Sequence, residues 1–229
     1  MNSSAAPIVT IDGPSGAGKG TISREVARRV GWHLLDSGAL YRLVALAGAK
    51  AGLLEDDLSG HARMAAAMVV RFGAGSAGDE LIQLSGEDVS QAVRSESAGQ
   101  GASRVAAWPA VRDALLARQR GFAVPPGLIA DGRDMGTVIF PQANLKIYLT
   151  ASAWERAQRR YKQLKDKGFA ASLAALSREI AERDQRDMSR SVAPLRPADD
   201  AIVLDSTGLG IEAVIVKVLA LGRDRQLWR

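Results

Sequence analysis

Short apolar runs alternate with amphipathic stretches along the first fifty residues. In Pro7–Asp12, Ile8, Val9 and Ile11 read as a buried strand entering a glycine-rich turn. From about Gly18 to Val30, Ile22, Val26 and Val30 recur four apart, the spacing of one helix face. Trp32–Leu35 is a second apolar run, ended by Asp36, and Ser37 is placed to cap a helix from Gly38 to about Ala51. Strand, helix, strand, helix at this spacing predicts a parallel sheet flanked by helices.

The middle of the chain changes rhythm. Met68–Phe72 and Glu80–Leu84 read as strands on either side of GAGSAGD, Gly73–Asp79, a hairpin signal with antiparallel pairing. Residues from about 63 to about 96 are expected to form an insert. Helical patterns resume at Ala98–Ala107 and Pro109–Phe122, with Pro109 suited to a first helical position. Leu128–Ala130 is a buried strand ending in DGRDMG, and Leu145–Leu149 is another. Charged helices follow at Ala153–Lys167 and Ser172–Arg186, separated by Gly168, then a strand Ile202–Leu204 ending in DSTG and a helix Ile211–Leu221. The predicted fold is α/β: one domain built on a doubly wound parallel sheet flanked by helices, with a small antiparallel insert. A short helical lid is expected at about 154–170. Ligands of such sheets bind beyond the carboxyl ends of the strands, where GPSGAGKGT, DSG, DGRD and DSTG all fall.

Composition narrows the chemistry. There are no cysteines and only two histidines, His33 and His61, which excludes disulfides and thiolate sites and argues against a histidine-rich metal site. Catalysis is left to hydroxyls, carboxylates, Lys, Arg, backbone amides or a loosely held metal. The start, MNSSAAPIVTIDG, lacks the pattern of a signal peptide, and no run approaches the roughly 20 apolar residues of a membrane span, so a cytoplasmic location is expected. Net charge is +5, but Arg156–Arg196 holds eleven Lys/Arg against five Asp/Glu, so the remainder sums to −1. A basic cluster of this kind faces nucleic acid or the phosphates of a small ligand. Without a basic tail or interleaved aromatics, the small ligand is favoured.

Gly13–Thr21 fits the phosphate-loop spacing of Gly, four residues, Gly-Lys, with a strand before it and a helix after it. Gly13, Pro14, Ser15, Gly16, Ala17 and Gly18 can turn backbone amides onto phosphates, and Lys19 supplies a cation for the β- and γ-phosphates. The alternative is a glycine-rich turn with an incidental lysine. The residue after Lys19 is Gly20, and the hydroxyl comes one place later at Thr21, so the usual hydroxyl ligand for Mg²⁺ is absent. Mg²⁺ is then expected to be held by ATP and water. An ATP-dependent phosphotransferase is the activity this loop points to.

The other clusters are read against plainer alternatives. Ser37 and Arg42 in DSGALYR could bind a second anion or form a capped helix with a surface arginine. Asp131, Arg133 and Asp134 crowd a strand end, where burying charge is costly; they face a ligand or form an internal pair. At 100° per residue, Arg183, Asp187 and Arg190 fall within about 60° of one another if their helix persists. That face could grip a phosphate and sugar hydroxyls, or be a solvated face with intrahelical pairs. Arg156, Arg159, Arg160 and Lys162 could close over the transferring phosphoryl group, excluding water, or lie on an exposed helix. Trp32, His33 and Trp108 read as packing residues, and His61, in an expected loop, carries no role.

Together, IDGPSGAGKGT, WHLLDSGALYR, the hairpin insert, GEDVS, SRVAAWPAVR, GLIADGRDMGTVIFP, ERDQRD and APL resemble the bacterial cytidylate kinase family along nearly the whole chain. The GKGT ending is typical of nucleoside monophosphate kinases. The resemblance implies transfer of phosphate from ATP to CMP or dCMP by a monomer, with the insert enlarging the monophosphate-binding region; no nucleic-acid partner is expected, since the basic excess is confined to one segment, and no membrane partner, since no apolar run is long enough. It implies that Arg42, Arg133 and Arg190 meet the CMP phosphate and that Ser103, Arg112 and Asp134 read cytosine. Asp187, with Arg183, would hold the sugar, and Ser37 would line the same pocket. Cytosine presents an N4 amino donor that Asp134 can accept, whereas uracil presents an oxygen that repels it. Rival readings are a kinase of another small acceptor on the same fold, and a non-catalytic protein gated by ATP.

Overall fold

The structure, a computed structural model, describes residues 6–74, 80–166 and 170–229. The chain divides into two compact units, one of residues 1–36 and 119–229 and one of residues 37–118. Most of the expected hairpin turn, residues 75–79, and the expected break at Gly168 lie outside the described residues.

In chain order the elements are β1 (Ile8–Asp12), α1 (Lys19–Val30), β2 (His33–Asp36), α2 (Ser37–Lys50), α3 (Leu58–Ala67), β3 (Val70–Ala74), β4 (Glu80–Leu84), β5 (Glu87–Asp88), α4 (Ser90–Val93), α5 (Glu96–Val105) and α6 (Pro109–Arg120). Then come β6 (Leu128–Gly132), a π-helical turn (Met135–Ile139), β7 (Leu145–Thr150), α7 (Ala153–Asp166), α8 (Leu173–Met188), β8 (Ile202–Asp205) and α9 (Ile211–Asp224).

In the first unit a five-stranded parallel sheet runs in the order β2-β6-β1-β7-β8. The doubly wound α/β fold expected from the alternation is present. β1 lies at the centre, with β6 on one side and β7 on the other, so the winding reverses at β1. A crevice for ligands opens at such a reversal. Alternating residues of the strands face opposite ways. Val9 and Ile11 of β1, Ile129 of β6 and Leu145, Ile147 and Leu149 of β7 join Ile22 and Val26 of α1 and Val214, Ile215 and Val218 of α9 in one core. Ile22 and Val26 of the four-apart face of α1 are thus spent on this core, and Val30 is half-buried beyond it.

The second unit holds α2 to α5, most of α6, and a small antiparallel sheet, β3-β4-β5. Leu40, Leu43, Val44, Ile82, Val93, Val105 and Leu115 are buried in it. The pairing of β3 with β4, Val70 opposite Leu84 and Phe72 opposite Ile82, is the antiparallel pairing expected from the hairpin pattern.

Several local expectations are corrected. Ser37 is the first residue of α2 itself rather than a residue preceding it. His61 is not in a loop: it lies on α3, is 4% exposed, and packs edge-on to Trp108 with its Nδ1 2.8 Å from the Asp57 carbonyl. Small residues (Gly60, Ala62, Ala65–Ala67) left α3 with little apolar periodicity to read. His33 is exposed rather than packed, its Nε2 2.9 Å from the Pro125 carbonyl. Trp32, by contrast, does pack, edge-to-face on Trp228 at 5.1 Å.

Candidate active site

β1 delivers the chain to the phosphate loop at Gly13. This residue has φ +146°, and a Cβ here would stand 2.0 Å from the Leu149 carbonyl oxygen, so only glycine lets β1 turn away beside β7. The loop ends at Gly18, in the left-handed region at φ +95°, and α1 starts at Lys19. Strand, loop and helix therefore stand in the order a phosphate loop requires. The Lys19 side chain is 6% exposed and its ammonium donates to the Pro14 carbonyl at 2.9 Å, folding back over its own loop. Burial, and then the positive charge of Arg133, push its pKa down to about 7, with Asp131 acting the other way.

Beside the loop, β6 ends level with β1, Asp12 opposite Gly132. Asp131 is 8% exposed and Asp134 3% exposed. Asp131 Oδ2 lies 3.5 Å from where a Cβ on residue 20 would stand, so the position without a hydroxyl faces a carboxylate. Arg133 donates through Nε to Asp187 Oδ2 at 3.0 Å. Burial opposes the Arg133 charge, yet Asp187, Asp131 and Asp184 hold the guanidinium above its ordinary pKa.

Asp187 is 1% exposed and carries two arginines, Arg133 and Arg190. Its burial favours the neutral acid, but Arg133, Arg190 and Arg183 outweigh this and keep it below the ordinary carboxylate range. The expected Arg183–Asp187–Arg190 grouping therefore forms, though not on one continuous helix. α8 stops at Met188, and Arg190 reaches back to Asp187 from beyond its end. Arg183 also acts on Lys19, so one cationic field links α8 to the phosphate loop.

Arg156 and Arg159 of α7 both reach the phosphate loop. Arg156 donates to the Ser15 carbonyl at 2.9 Å and to the Ala151 carbonyl at 3.0 Å, and pairs with Asp184 of α8 at 2.6 Å. Arg159 donates to the Ala17 carbonyl at 3.4 Å and to Ser206 Oγ and O at 3.0 and 2.7 Å. These guanidiniums join the phosphate loop to α8 through the Asp184 carboxylate and to Ser206, just beyond β8, through its hydroxyl and carbonyl. Thr21, the displaced hydroxyl, is exposed on the first turn of α1.

The second unit contains Ser37, Arg42, Ser103 and Arg112. Ser37, Ser103 and Arg112 are 4%, 5% and 6% exposed. Arg42 of α2 donates to the carbonyls of Val93 and Ser95, each at 3.0 Å. Arg112 of α6 lies 6.0 Å over the Tyr41 ring and donates to the Ala106 carbonyl at 3.3 Å. Polar side chains this deeply placed need fixed partners, and the two arginines take theirs from helix ends.

Sequence reasoning missed Asp12 and Tyr148. Asp12, 5% exposed, accepts from the amides of Met135 and Gly136, each at 2.8 Å. Burial raises its pKa to about 7 against the pull of those two amides. Tyr148 is paired in register with Asp12, and burial, then the Asp184 charge, raises its phenol. The signal available was positional: Asp12 ends β1 beside the expected crevice, and Tyr148 pairs with it two residues before the end of β7. Among the described residues, no group of three His, Asp or Glu side chains could hold a metal ion, and no helix is long and apolar enough to cross a membrane.

Comparison with known proteins identifies the family. A family model described as cytidylate kinase matches residues 9–224. The cytidylate kinase of Shewanella loihica is 57% identical over 218 residues, covering 95% of each chain. That of Pseudomonas aeruginosa is 58% identical over 226 residues, 98% of each, and that of Aeromonas hydrophila 55% over 220 residues, 96% of this chain and 95% of that one. Among solved structures, a shikimate kinase from Acinetobacter baumannii superposes with a TM-score of 0.45 at 18% identity, over 97% of this chain and 96% of that one. With a family model matched over nearly its whole length and relatives more than half identical, the chain belongs to the cytidylate kinase family.

Proposed function

We propose that the chain transfers the γ-phosphoryl group of ATP to CMP and dCMP, giving CDP and dCDP. The observation that carries this reading is the convergence on one strand-end crevice of Lys19, Arg133 and the Asp187-anchored Arg190. A phosphate loop alone accounts for a donor; a second set of arginines held by a buried carboxylate accounts for an acceptor that also bears phosphate.

In this reading Gly13 to Thr21 bind the phosphates of ATP, Lys19 meets the β- and γ-phosphates, and Arg156 and Arg159 support the donor side. Arg133 and Arg190, with Arg42, bind the acceptor phosphate. Ser103, Arg112 and Asp134 read cytosine, Asp187 and Arg183 hold the sugar, and Ser37 lines the pocket. Asp131, facing Gly20, is the carboxylate that would hold Mg²⁺ there through a bound water. That ion, held otherwise by the nucleotide, would neutralise charge on the transferring phosphate. The acceptor phosphate is already ionised near pH 7, so no general base is needed. Catalysis is in-line positioning and charge neutralisation.

The protein is proposed to act in the cytoplasm as a monomer, on small-molecule substrates rather than nucleic acid. A coupled assay of ADP release with CMP, dCMP, UMP, AMP, GMP and dTMP tests the proposal. CMP and dCMP should give the highest kcat/KM. Preference for another acceptor, or ADP release independent of acceptor, would overturn it.

A further inference from the structure

Beyond Gly132, β6 leaves the sheet, and Arg133 and Asp134 sit in a bend before the π-helical turn Met135–Ile139. The first amides of any helical turn lack partners within it. Here the preceding residue, Asp134, makes no side-chain cap. Instead both Oδ atoms of Asp12 accept, one from Met135 N and one from Gly136 N, at 2.8 Å each. All three residues are buried, so water is not at hand as a substitute. The turn also presses closely on β1: a Cβ at Gly136 would stand 2.9 Å from Thr10 Oγ1.

Asp12 is also the residue directly before Gly13. One carboxylate thus sits at the root of the phosphate loop and caps, from another strand, the turn that follows Arg133 and Asp134. We infer that Asp12 is a positioning residue, which fixes the acceptor-binding bend at Arg133–Asp134 relative to Lys19. It touches neither substrate; it acts through the two amides it holds. The inference rests on the assignment of Arg133 and Asp134 to the acceptor.

Asp12→Asn tests it. The carboxamide keeps one acceptor oxygen but turns an NH₂ toward the other amide, leaving that donor unpaired. The KM for CMP should rise roughly tenfold, and the preference for CMP over UMP should narrow. The KM for ATP should change much less, since the two amides that Asp12 holds lie outside the phosphate loop. An unchanged KM for CMP, or parallel losses for ATP and CMP together with a lower melting temperature, would overturn the inference. If the variant fails to fold, hydrogen exchange of the wild-type Met135 and Gly136 amides decides. Slower exchange at both when CMP is bound supports the positioning role, and exchange indifferent to CMP overturns it. A wild-type protein that does not phosphorylate CMP would instead overturn the proposed function.

Discussion

Lys19 is held by burial and by Arg133 at a pKa of about 7, against an ordinary value of 10.5. A phosphate chain brought to the loop reverses that field and favours the ammonium. ATP binding at pH 8 should therefore take up a proton, and affinity should weaken as pH rises above about 7. Calorimetry in buffers of different ionisation enthalpy measures the uptake; Lys19→Met should abolish it and lower turnover severely, on the order of a hundredfold or more. Asp134→Ala should bring the kcat/KM values for CMP and UMP closer together, because the carboxylate that rejects uracil's oxygen is gone. An unchanged ratio would remove Asp134 from base selection. Lys19 and Arg133 were legible because fixed spacing and a charged strand end announce them. Asp12 was not, because a lone acidic residue at a strand end looks the same whether it meets solvent or two amides 123 and 124 positions away.

Among elements, the parallel strands and the helix after the phosphate loop could be read because apolar runs and glycines mark their ends. The π-helical turn after β6 could not: MGTVI has no period of its own, and its first two amides are held from β1. α8 shows the limit of helical geometry. The angular rule brought Arg183, Asp187 and Arg190 together, yet the helix ends two residues short of Arg190. Tertiary contact also fixes α9. A Cβ at Gly222 would lie 1.8 Å from the Trp228 ring, whose Nε1 donates to Leu219 O at 3.0 Å. Gly222→Ala should displace that ring from Trp32 and destabilise the protein by roughly 1–3 kcal/mol. Urea unfolding monitored by tryptophan fluorescence would measure it.

At the scale of the molecule, two buried groups disfavour charge near neutrality in opposite directions. Asp12 is raised from 3.8 to about 7, so the stability it contributes is complete below pH 3.8 and lost as pH climbs to about 7. Lys19 is lowered from 10.5 to about 7, so its contribution is complete above pH 10.5 and lost as pH falls to about 7. Unfolding free energies measured across pH should show the first slope flattened in Asp12→Asn and the second in Lys19→Met. Family resemblance was legible over nearly the whole chain because its motifs sit at strand and helix ends, where spacing survives in sequence. The course of the sheet was not, since nothing local states which strands become neighbours.

That course has a consequence for synthesis. β1 is made before the other strands of its sheet, yet its partner in register, Ile8 to Leu128, emerges 120 residues later. At ribosomal speeds of about 5–20 residues per second, the strand waits roughly 6–24 s with its hydrogen bonds unmet. The 37–118 unit is translated in that interval and can gather its own core from contacts within itself. The earliest strand of this sheet thus waits longest for its neighbours, and the crevice that opens at its end cannot exist until β6 and β7 arrive to flank it.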